Sequence, residues 1–267
     1  MVYVVLGMHK SGTSLIAELL HRSGIPMVEA ESDADYQAGN KWERTSTLTF
    51  DKDLLEARGV DSLSITPPDP ASLLREVHLE RARLLVARIA EETTTNARAT
   101  GDWGFKDPRA CLTWPVWRRV LTAPRIVAVY RHPSAVVRHF QQHAARLHRT
   151  GPLWRLRVEW LALRRWREHN ERVLDAIEVS DGPSILLSYE RLMRGDEELA
   201  PLRRFLGCEL ADPRKREKRD AASASSLRAQ VGARAAQLTG AGSAPATFAR
   251  LEAKRTQLLA ALGPPRR

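Results

Sequence analysis

Four short apolar runs predict the β-strands of this chain, and longer stretches with helical spacing lie between them. The runs are apolar at nearly every position, which is typical of parallel strands covered on both faces. The sequence therefore predicts an α/β fold, with a central parallel sheet flanked by helices on both faces. The predicted strands are residues 2–6, 103–105, 126–130 and 184–188, and the predicted helices are residues 13–23, 71–92, 133–148, 153–178 and 246–262.

Two of the predicted helices carry an apolar stripe that we expect to face the core. Core packing is also the favoured interpretation for the three tryptophans of the second helix, with stacking on a nucleic acid as the alternative. The residues in helical register are Leu73, Leu74, Val77, Leu84, Leu85 and Ile89 in the first helix, and Leu153, Leu156, Trp160, Leu163, Trp166, Val173 and Ile177 in the second, where Trp154 lies beside the stripe.

The composition divides the chain into two parts. Residues 1–210 hold the alternating pattern and are predicted to form one α/β domain. Residues 211–267 are predicted to be a basic linker and a C-terminal helical extension that packs on the same domain. We interpret the basic run at 213–219 as a solvated linker; contact with nucleic acid is the alternative, and no zinc-finger spacing or RNP motif supports it.

The charge balance predicts a surface that attracts anions. The chain has 42 Lys and Arg against 32 Asp and Glu, a formal net charge of +10, so nucleotides, nucleic acid and acidic lipid are all candidate partners. Only 7 of the 42 cations are Lys, and with so many Ala this bias is typical of a high-GC genome. The charge therefore identifies no particular ligand.

The cysteines and the apolar runs bear on the compartment. Cys111 and Cys208 lie far apart, which favours neither a disulfide framework nor a zinc site and suits a reducing cytoplasm. The first strand starts almost at Met1, with no pattern of a signal peptide before it. No apolar run approaches the roughly 18–20 residues that span a bilayer, so we expect a cytoplasmic protein without a transmembrane segment, at most peripheral to a membrane.

A glycine-rich turn between the first strand and the first helix is the first candidate site. It reads Gly7-Met8-His9-Lys10-Ser11-Gly12-Thr13-Ser14. In such a turn the backbone N–H groups and the helix N-terminus converge on one point and bind a phosphate. The glycine spacing fits the triphosphatase pattern G-x4-G-K-[ST], but a threonine stands where the lysine belongs. The displaced cation favours another leaving group and no obligatory metal.

Two further motifs follow predicted strands. Trp103-Gly104-Phe105-Lys106-Asp107-Pro108-Arg109 places two cations where a strand ends, and Val129-Tyr130-Arg131-His132-Pro133-Ser134 places one at a strand end and a helix start. If these strands are parallel to the first, all three motifs open onto one crevice. Two anion sites on one edge indicate a ligand with two separate phosphates. A local turn that only satisfies backbone groups is the alternative for the Asp-Pro-Arg segment.

Taken together, the motifs resemble those of a known family. The order and spacing of Gly-Met-His-Lys-Ser-Gly-Thr-Ser, Trp-Gly-Phe-Lys-Asp-Pro-Arg, Tyr-Arg-His-Pro and Leu-Leu-Ser-Tyr-Glu-Arg-Leu are similar to the bacterial branch of the sulfotransferases that use 3′-phosphoadenosine 5′-phosphosulfate (PAPS). The resemblance covers about residues 2–207. It implies a P-loop-containing nucleotide-binding fold, PAPS as sulfuryl donor and no metal requirement.

The resemblance also implies which residues bind the donor. The loop residues His9, Lys10, Ser11, Gly12, Thr13 and Ser14 would bind the 5′-phosphosulfate. Arg131 matches the family's 3′-phosphate arginine, and Tyr189 matches a tyrosine near the adenine, although a buried tyrosine at a strand end is the alternative. The family usually has a serine eight positions after that arginine, and here His139 stands there, preceded by Arg138. Either side chain would replace the serine hydroxyl; the alternative is a weaker affinity for the donor than is usual in the family.

For catalysis, the resemblance implies cations and a base. Lys10 would neutralise the leaving phosphate, and Lys106 or Arg109 the sulfuryl oxygens. Glu43, in a segment similar to a Gly-Tyr-x-Glu motif of the bacterial branch, is the expected base, with an ordinary solvated carboxylate as the alternative. His9 is the rival base.

Other functions remain open from the sequence. A P-loop nucleotide kinase is one, and a noncatalytic anion- or nucleic-acid-binding protein is another. His139 and His143 lie one helical turn apart, a spacing that metals use, but no third ligand accompanies them. We therefore expect no metal site and no nucleic-acid partner. The acceptor and the oligomeric state are not readable from these residues.

Overall fold

Four parallel strands form the central sheet of the structure, a computed structural model. They are β1 (Val2–Leu6), β2 (Trp103–Lys106), β3 (Arg125–Tyr130) and β4 (Ser184–Ser188), in the order β2-β1-β3-β4. In this register Val4 lies beside Phe105 on one side and Ile126 on the other. All four predicted strands are confirmed, and because they are parallel their carboxyl ends share one edge of the sheet.

Helices surround this sheet in the residues that the structure describes, which are 1–29, 42–60, 68–95, 101–146, 151–214 and 243–263. None of the helices in these ranges is long and apolar enough to cross a membrane. In chain order they are α1 (Thr13–Arg22), α2 (Thr45–Glu56), α3 (Pro70–Leu73), α4 (Glu76–Thr95), α5 (Ala110–Val120), α6 (Pro133–Arg146), α7 (Pro152–Val179), α8 (Tyr189–Arg194), α9 (Leu199–Leu206) and α10 (Ser243–Ala261).

The strands bury both of their faces, as their continuous apolar runs predict. Alternate side chains of β1 enter two separate clusters: Val4 and Leu6 join one, and Tyr3 and Val5 join the other. The first cluster includes buried side chains of α2, α4, α5, α6, α7 and α10, and the second includes those of α1, α8 and α9. The predicted α/β class, with helices on both faces of a parallel sheet, is confirmed.

The predicted helix 71–92 is wrong in its continuity and in part of its buried face. The helix is interrupted at Leu74, so α3 and α4 are separate helices. Leu85 and Ile89 are buried as expected, but Val77 and Leu84 are exposed. Once α4 starts at Glu76, one side of it covers the core and these two residues lie on the other.

The apolar stripe predicted on α7 is buried only in its second half. Leu163, Trp166, Val173 and Ile177 are buried. Leu153, Leu156 and Trp160 are exposed, so core packing is wrong for the start of this helix, where the described part of the chain covers neither leucine. The helices α2, α5, α8 and α9 were not predicted.

The last helix, α10, packs against α7 and β4. Arg255 Nε on α10 donates to Glu198 Oε1 over 2.6 Å, and both side chains are buried. The hydroxyl of Tyr130, at the end of β3, donates to Glu252 Oε1 over 2.5 Å. Thus α10 contacts the central sheet directly. Residues 215–242, which hold most of the predicted basic linker, lie outside the described residues.

Candidate active site

The sequence motifs meet at the carboxyl edge of the sheet. The glycine-rich loop 7–12 follows β1, Asp107 to Arg109 follow β2, Arg131 follows β3 and Tyr189 follows β4. This is the edge at which open α/β sheets bind their ligands. The expectation that β2 is adjacent and parallel to β1 is confirmed by the pairing of Val5 with Lys106.

The glycine-rich loop has the backbone geometry of an anion-binding turn. Lys10 and Gly12 both have positive φ angles, 67° and 100°, and α1 begins directly after Gly12. The hydroxyl of Ser11 is buried and has no hydrogen-bond partner within the described parts of the chain. An unpartnered buried hydroxyl at a helix N-terminus fits a loop that binds an anionic group.

Tyr189 lies directly against this loop. A Cβ atom on Gly12 would lie 2.3 Å from Cδ2 of the tyrosine, closer than carbon atoms approach. The guanidinium of Arg131 lies over the same ring, 4.6 Å from its centroid. Gly12 is therefore required both by its backbone angle and by the ring beside it, and the ring joins the loop to Arg131.

Arg131 also contacts the loop itself. Its Nη1 donates to the carbonyl oxygen of Lys10 over 3.1 Å. Its own carbonyl accepts a hydrogen bond from the Trp166 indole on α7, at 2.9 Å. Glu190 Oε1 lies 3.9 Å from Arg131 Nε and accepts a 3.1 Å hydrogen bond from the His132 amide. These contacts hold Arg131 beside the loop.

The two candidates on α6 for the missing serine occupy different surroundings. Burial, and then the charges of Lys10 and Arg131, lower the pKa of the His139 imidazole. Arg138 instead lines a cavity between α6 and α7, together with Trp154. Of the two, His139 is therefore the side chain near the cations of the candidate site.

Lys106 and Glu43 form an ion pair at the other end of the loop. Lys106 Nζ lies 2.6 Å from Glu43 Oε1 and also donates to Ser14 Oγ over 3.2 Å. The lysine side chain is 1% exposed and the glutamate 17%. Glu43 is therefore mostly buried and paired with a lysine, unlike the solvated carboxylate of the alternative interpretation.

Arg44 is a residue that the motif analysis missed, and it anchors the Glu43 segment. It is buried, donates from Nε to the Gly104 carbonyl and from Nη2 to the Pro26 carbonyl, each over 3.2 Å, and lies over the Trp103 ring. The preceding Trp42 has a positive φ of 58°. Arg44 belongs to no motif of the sequence. The one signal for it is its position directly after the candidate base Glu43. Residues 39–41 lie outside the described residues.

His9 is a neutral imidazole within the loop. Burial lowers its pKa to about 3, and the nearby His169, Arg109, Lys106 and Lys10 act in the same direction. Its Nε2 atom is buried and makes no hydrogen bond to any described residue. A group with so low a pKa is a weak base at neutral pH.

Asp107 and Arg109 make the local turn that was the alternative interpretation of this segment. Asp107 Oδ1 accepts hydrogen bonds from the Arg109 amide, at 2.9 Å, and from its Nη1, at 3.0 Å. Burial raises the pKa of Asp107 to about 6. Asp51 of α2, which the sequence did not indicate, is buried nearby and accepts from Thr113 and Trp117. The carboxylate partner of the Arg109 guanidinium is Asp107.

A protein-family model matches most of the chain. A model described as the sulfotransferase family matches residues 3–212. The solved "Sulfotransferase Domain from the Curacin Biosynthetic Pathway" is 16% identical, with 79% of this chain and 75% of that one covered and a TM-score of 0.47. The solved "Sulfotransferase Domain from the Synechococcus PCC 7002 Olefin Synthase" is 18% identical, with 79% of this chain and 74% of that one covered and a TM-score of 0.44. No curated protein matches the chain. The family match includes every residue of the candidate site and ends before α10.

Proposed function

The chain belongs to the sulfotransferase family, and from this premise we propose that it moves a sulfuryl group from PAPS to a hydroxyl or amine of a small-molecule, glycan or lipid acceptor. Sulfuryl transfer is the activity of the family, which generally uses PAPS. The observation that carries the assignment is the placement of the glycine-rich loop and the first turn of α1 between two cations: Arg131 contacts Lys10 in the loop, and Lys106 contacts Ser14 in the helix.

The residues present fit this donor. PAPS carries a 5′-phosphosulfate and a separate 3′-phosphate, and so needs two anion sites. The loop offers an unpartnered buried hydroxyl at Ser11 for the first. Arg131 and the neighbouring His139 would hold the second, and Tyr189, between Gly12 and Arg131, would contact the adenosine. The remaining loop residues, His9 and Thr13, would line the phosphosulfate site.

The protein's cations stabilise the charge that develops during transfer. The donor supplies an activated S–O bond. A bond forms between the acceptor oxygen and sulfur while the bond from sulfur to the 5′-phosphate breaks, and the electron pair of that bond leaves with the bisphosphate product. Lys10 would neutralise this leaving phosphate, and Lys106, buried in the site, would stabilise the sulfuryl oxygens. Arg109, at the same edge, would contact the acceptor.

Glu43 is the proposed general base. It would take the proton of the acceptor hydroxyl, and its position 2.6 Å from Lys106 places it beside the group that stabilises the sulfuryl oxygens. His9 is the weaker candidate because its pKa of about 3 leaves little driving force for proton transfer. Once protonated, Glu43 would leave Lys106 without its counter-ion, so the lysine charge would be available to the transferring group.

The proposal also includes the compartment of the protein and the extent of its catalytic domain. Both cysteines, Cys111 and Cys208, are free thiols, which supports a reducing compartment such as a bacterial cytoplasm. Residues 1–210 would form the catalytic domain and 211–267 its extension; the contacts of α10 with α7 and β4 support packing of this extension on the same domain.

Product analysis tests the function. The purified protein is incubated with PAPS labelled in its sulfate and with a panel of hydroxyl and amine acceptors, and the bisphosphate product is measured by chromatography. We expect acceptor-dependent formation of the bisphosphate together with a labelled acceptor. ATP with Mg²⁺ serves as the comparison. Phosphoryl transfer from ATP without any sulfuryl transfer from PAPS would favour the kinase hypothesis instead.

A further inference from the structure

The start of α7 exposes apolar side chains on the face that points away from the core. Leu153 is 82% exposed, Leu156 54% and Trp160 41%. Arg157 and Arg164 share the same face, since residues 153, 156, 157, 160 and 164 recur at helical spacing. We call these five residues the α7 stripe. An exposed helix face normally carries mixed polar and charged residues, so the stripe is suited to contact with something other than water.

The charge around the stripe is strongly positive. Between residues 151 and 167, Glu159 is the single acidic residue. Arg157 lies over the Trp154 ring and Arg164 over the Trp160 ring, at 5.7 and 5.3 Å from the centroids. The arginines of this region that form no ion pair with a described carboxylate are Arg138, Arg146, Arg155, Arg157 and Arg164. A partner of this surface must therefore be anionic.

The composition of the segment favours a lipid surface over a protein. Residues 152–167 contain Leu, Trp, Arg, Val, Ala, Pro and Glu, but no Ser, Thr, Asn, Gln or Tyr. A specific protein interface uses about ten direct hydrogen bonds, and in this segment the side chains that could form them are limited to arginine, tryptophan and Glu159. Leucine and tryptophan with flanking arginines are instead the side chains that enter a membrane interface and hold anionic headgroups.

We propose that the α7 stripe docks the protein on membranes that contain anionic phospholipid. The leucines lie in the first turns of α7 and would enter the interface first, while Arg157 and Arg164 would contact phosphates at the headgroup level. Beside the stripe lies a cavity of about 240 Å³, whose lining includes Trp154 and Val158, the arginines Arg138 and Arg155, and the glutamines Gln141 and Gln142.

Helix α6 borders the cavity beside the stripe and also carries His139, a candidate residue of the donor site. The cavity is lined from α6 by Arg138, and the next residue, His139, is influenced by the charges of Lys10 and Arg131 in the donor site. The stripe and the donor site are thus connected through one helix, α6. Binding to a membrane through the stripe does not require sulfuryl transfer, so membrane binding can be measured without an acceptor.

Vesicle co-sedimentation with the full chain tests the proposal. We expect binding to vesicles of phosphatidylcholine with phosphatidylglycerol, weaker binding at high salt and little binding to phosphatidylcholine alone. Leu153→Ser with Leu156→Ser should weaken binding on the order of tenfold or more, because two leucines lose their burial in the interface. Arg157→Gln with Arg164→Gln should reduce the preference for anionic vesicles.

Matched variants separate this surface from general attraction of a basic chain. Val77→Ser with Leu84→Ser changes two apolar residues that are also exposed, at 55% and 63%, but lie on α4, and should leave binding unchanged. All variants must keep the wild-type melting temperature. The proposal is overturned if the α7 pair and the α4 pair of serine substitutions reduce vesicle binding equally. It is also overturned if vesicle binding falls only when Lys215, Arg216, Lys218 and Arg219 are changed to Gln.

Two other outcomes would replace the lipid surface by a protein partner. Light scattering that shows a dimer, dissociated by Leu153→Ser with Leu156→Ser, would make the stripe an interface between copies of this chain. Binding of polyglutamate that equals vesicle binding and needs the same leucines would make the partner an acidic polypeptide. Either result contradicts docking on a membrane.

Discussion

Arg131 donates a hydrogen bond to the backbone carbonyl of Lys10, and this 3.1 Å contact joins the two anion-binding segments of the site. The residues lie 121 positions apart in the sequence. Both residues lie at the carboxyl edge of the sheet, after β1 and β3. Under the proposed function one ligand reaches both segments, and an adenosine with phosphates at the 3′ and 5′ positions supplies the two anionic groups.

The first prediction concerns this double site. The 3′,5′-bisphosphate of adenosine should bind more tightly than AMP, and Arg131→Ala should reduce its affinity about 10- to 100-fold while changing AMP affinity little, since hydrogen bonds to charged groups contribute about 1.5–3 kcal/mol. Calorimetric titration measures both nucleotides. Arg119→Ala, an exposed arginine of α5, is the control. Equal affinities of the wild type for the two nucleotides would contradict the assignment of Arg131 to a 3′-phosphate.

The second prediction separates the base from the binding residues. Glu43→Gln should lower kcat by on the order of 10²–10⁴, the range of a general base, and leave the affinity for the bisphosphate within a few-fold. Steady-state kinetics with PAPS measures the first effect and calorimetry the second. Glu56→Gln, an exposed carboxylate of α2, should change neither.

Folding of this variant has to be measured as well. Lys106 is buried and pairs with Glu43, so the substitution leaves a buried cation without its counter-ion and should lower the melting temperature. If folded Glu43→Gln protein retains ordinary turnover, Glu43 is not the base, and the kinetics of His9→Asn would then decide whether the loop carries its own base.

The third prediction concerns Gly12. Gly12→Ala should reduce bisphosphate binding and stability together, because the new methyl group meets both a positive φ of 100° and the Tyr189 ring at 2.3 Å. Gly24→Ala is a matched control: its φ is 93°, but its Cβ would meet no atom within 4 Å. Both variants should lose about 1–2 kcal/mol from the backbone alone, measured by urea unfolding. Nucleotide binding that is equally reduced in both would show that the tyrosine contact is unimportant.

The fourth prediction is a pH dependence that comes from His9. Its pKa is about 3 in the folded protein, against an ordinary histidine value of 6.5, so between these values the unfolded chain binds a proton that the folded chain does not. Stability from this group is complete above pH 6.5 and is lost as the pH falls, with a limiting slope of about 1.4 kcal/mol per pH unit. Urea unfolding of the wild type and His9→Asn from about pH 7 to about pH 4.5 should show a smaller loss in the variant. Parallel curves would contradict a buried neutral imidazole.

The fifth prediction concerns metals. Under the proposed function, Lys10, Lys106 and the loop amides take the role that Mg²⁺ plays in nucleotide kinases, so sulfuryl transfer should persist in EDTA. The initial rate is measured before and after chelation, with Mg²⁺ added back. Within the described ranges no group of three or more metal-ligating side chains occurs. A rate that vanishes with EDTA and returns with Mg²⁺ would require a metal in the mechanism.

The sheet and the edge that holds the site could be predicted from sequence for one physical reason. Strands buried on both faces are apolar throughout, so residues 126–130 and 184–188 can be predicted as strands from their apolar runs. Glycine-rich or charged segments that follow parallel strands share one edge of the sheet. The loop 7–14, Lys106 and Arg131 were located in this way. The helices α2 and α5 were missed because α2 is rich in Ser, Thr and Asp and α5 contains Pro115.

Periodicity also misjudged which helical faces are covered. It shows that Leu153, Leu156 and Trp160 share a face, but not whether another element lies against that face, and here they are exposed. The pairing of Glu43 with Lys106 depends on a loop that returns to β2 from 63 residues away, and on the anchoring of Arg44 at Gly104. Contacts of that kind are set by tertiary packing, which a single sequence does not encode in any local pattern.

The ion pair between Glu198 and Arg255 has a consequence for synthesis on the ribosome. Glu198 accepts a hydrogen bond from the amide of Ser188 at the end of β4, and in the complete fold its carboxylate is buried against Arg255. Translation produces Arg255 only 57 positions later. Until then the nascent chain lacks both the cation of this pair and the helix that carries it, so the carboxylate has to stay solvated or protonated. The carboxyl edge of the sheet can therefore form early in co-translational folding, but the Glu198–Arg255 pair forms only when α10 has left the ribosome.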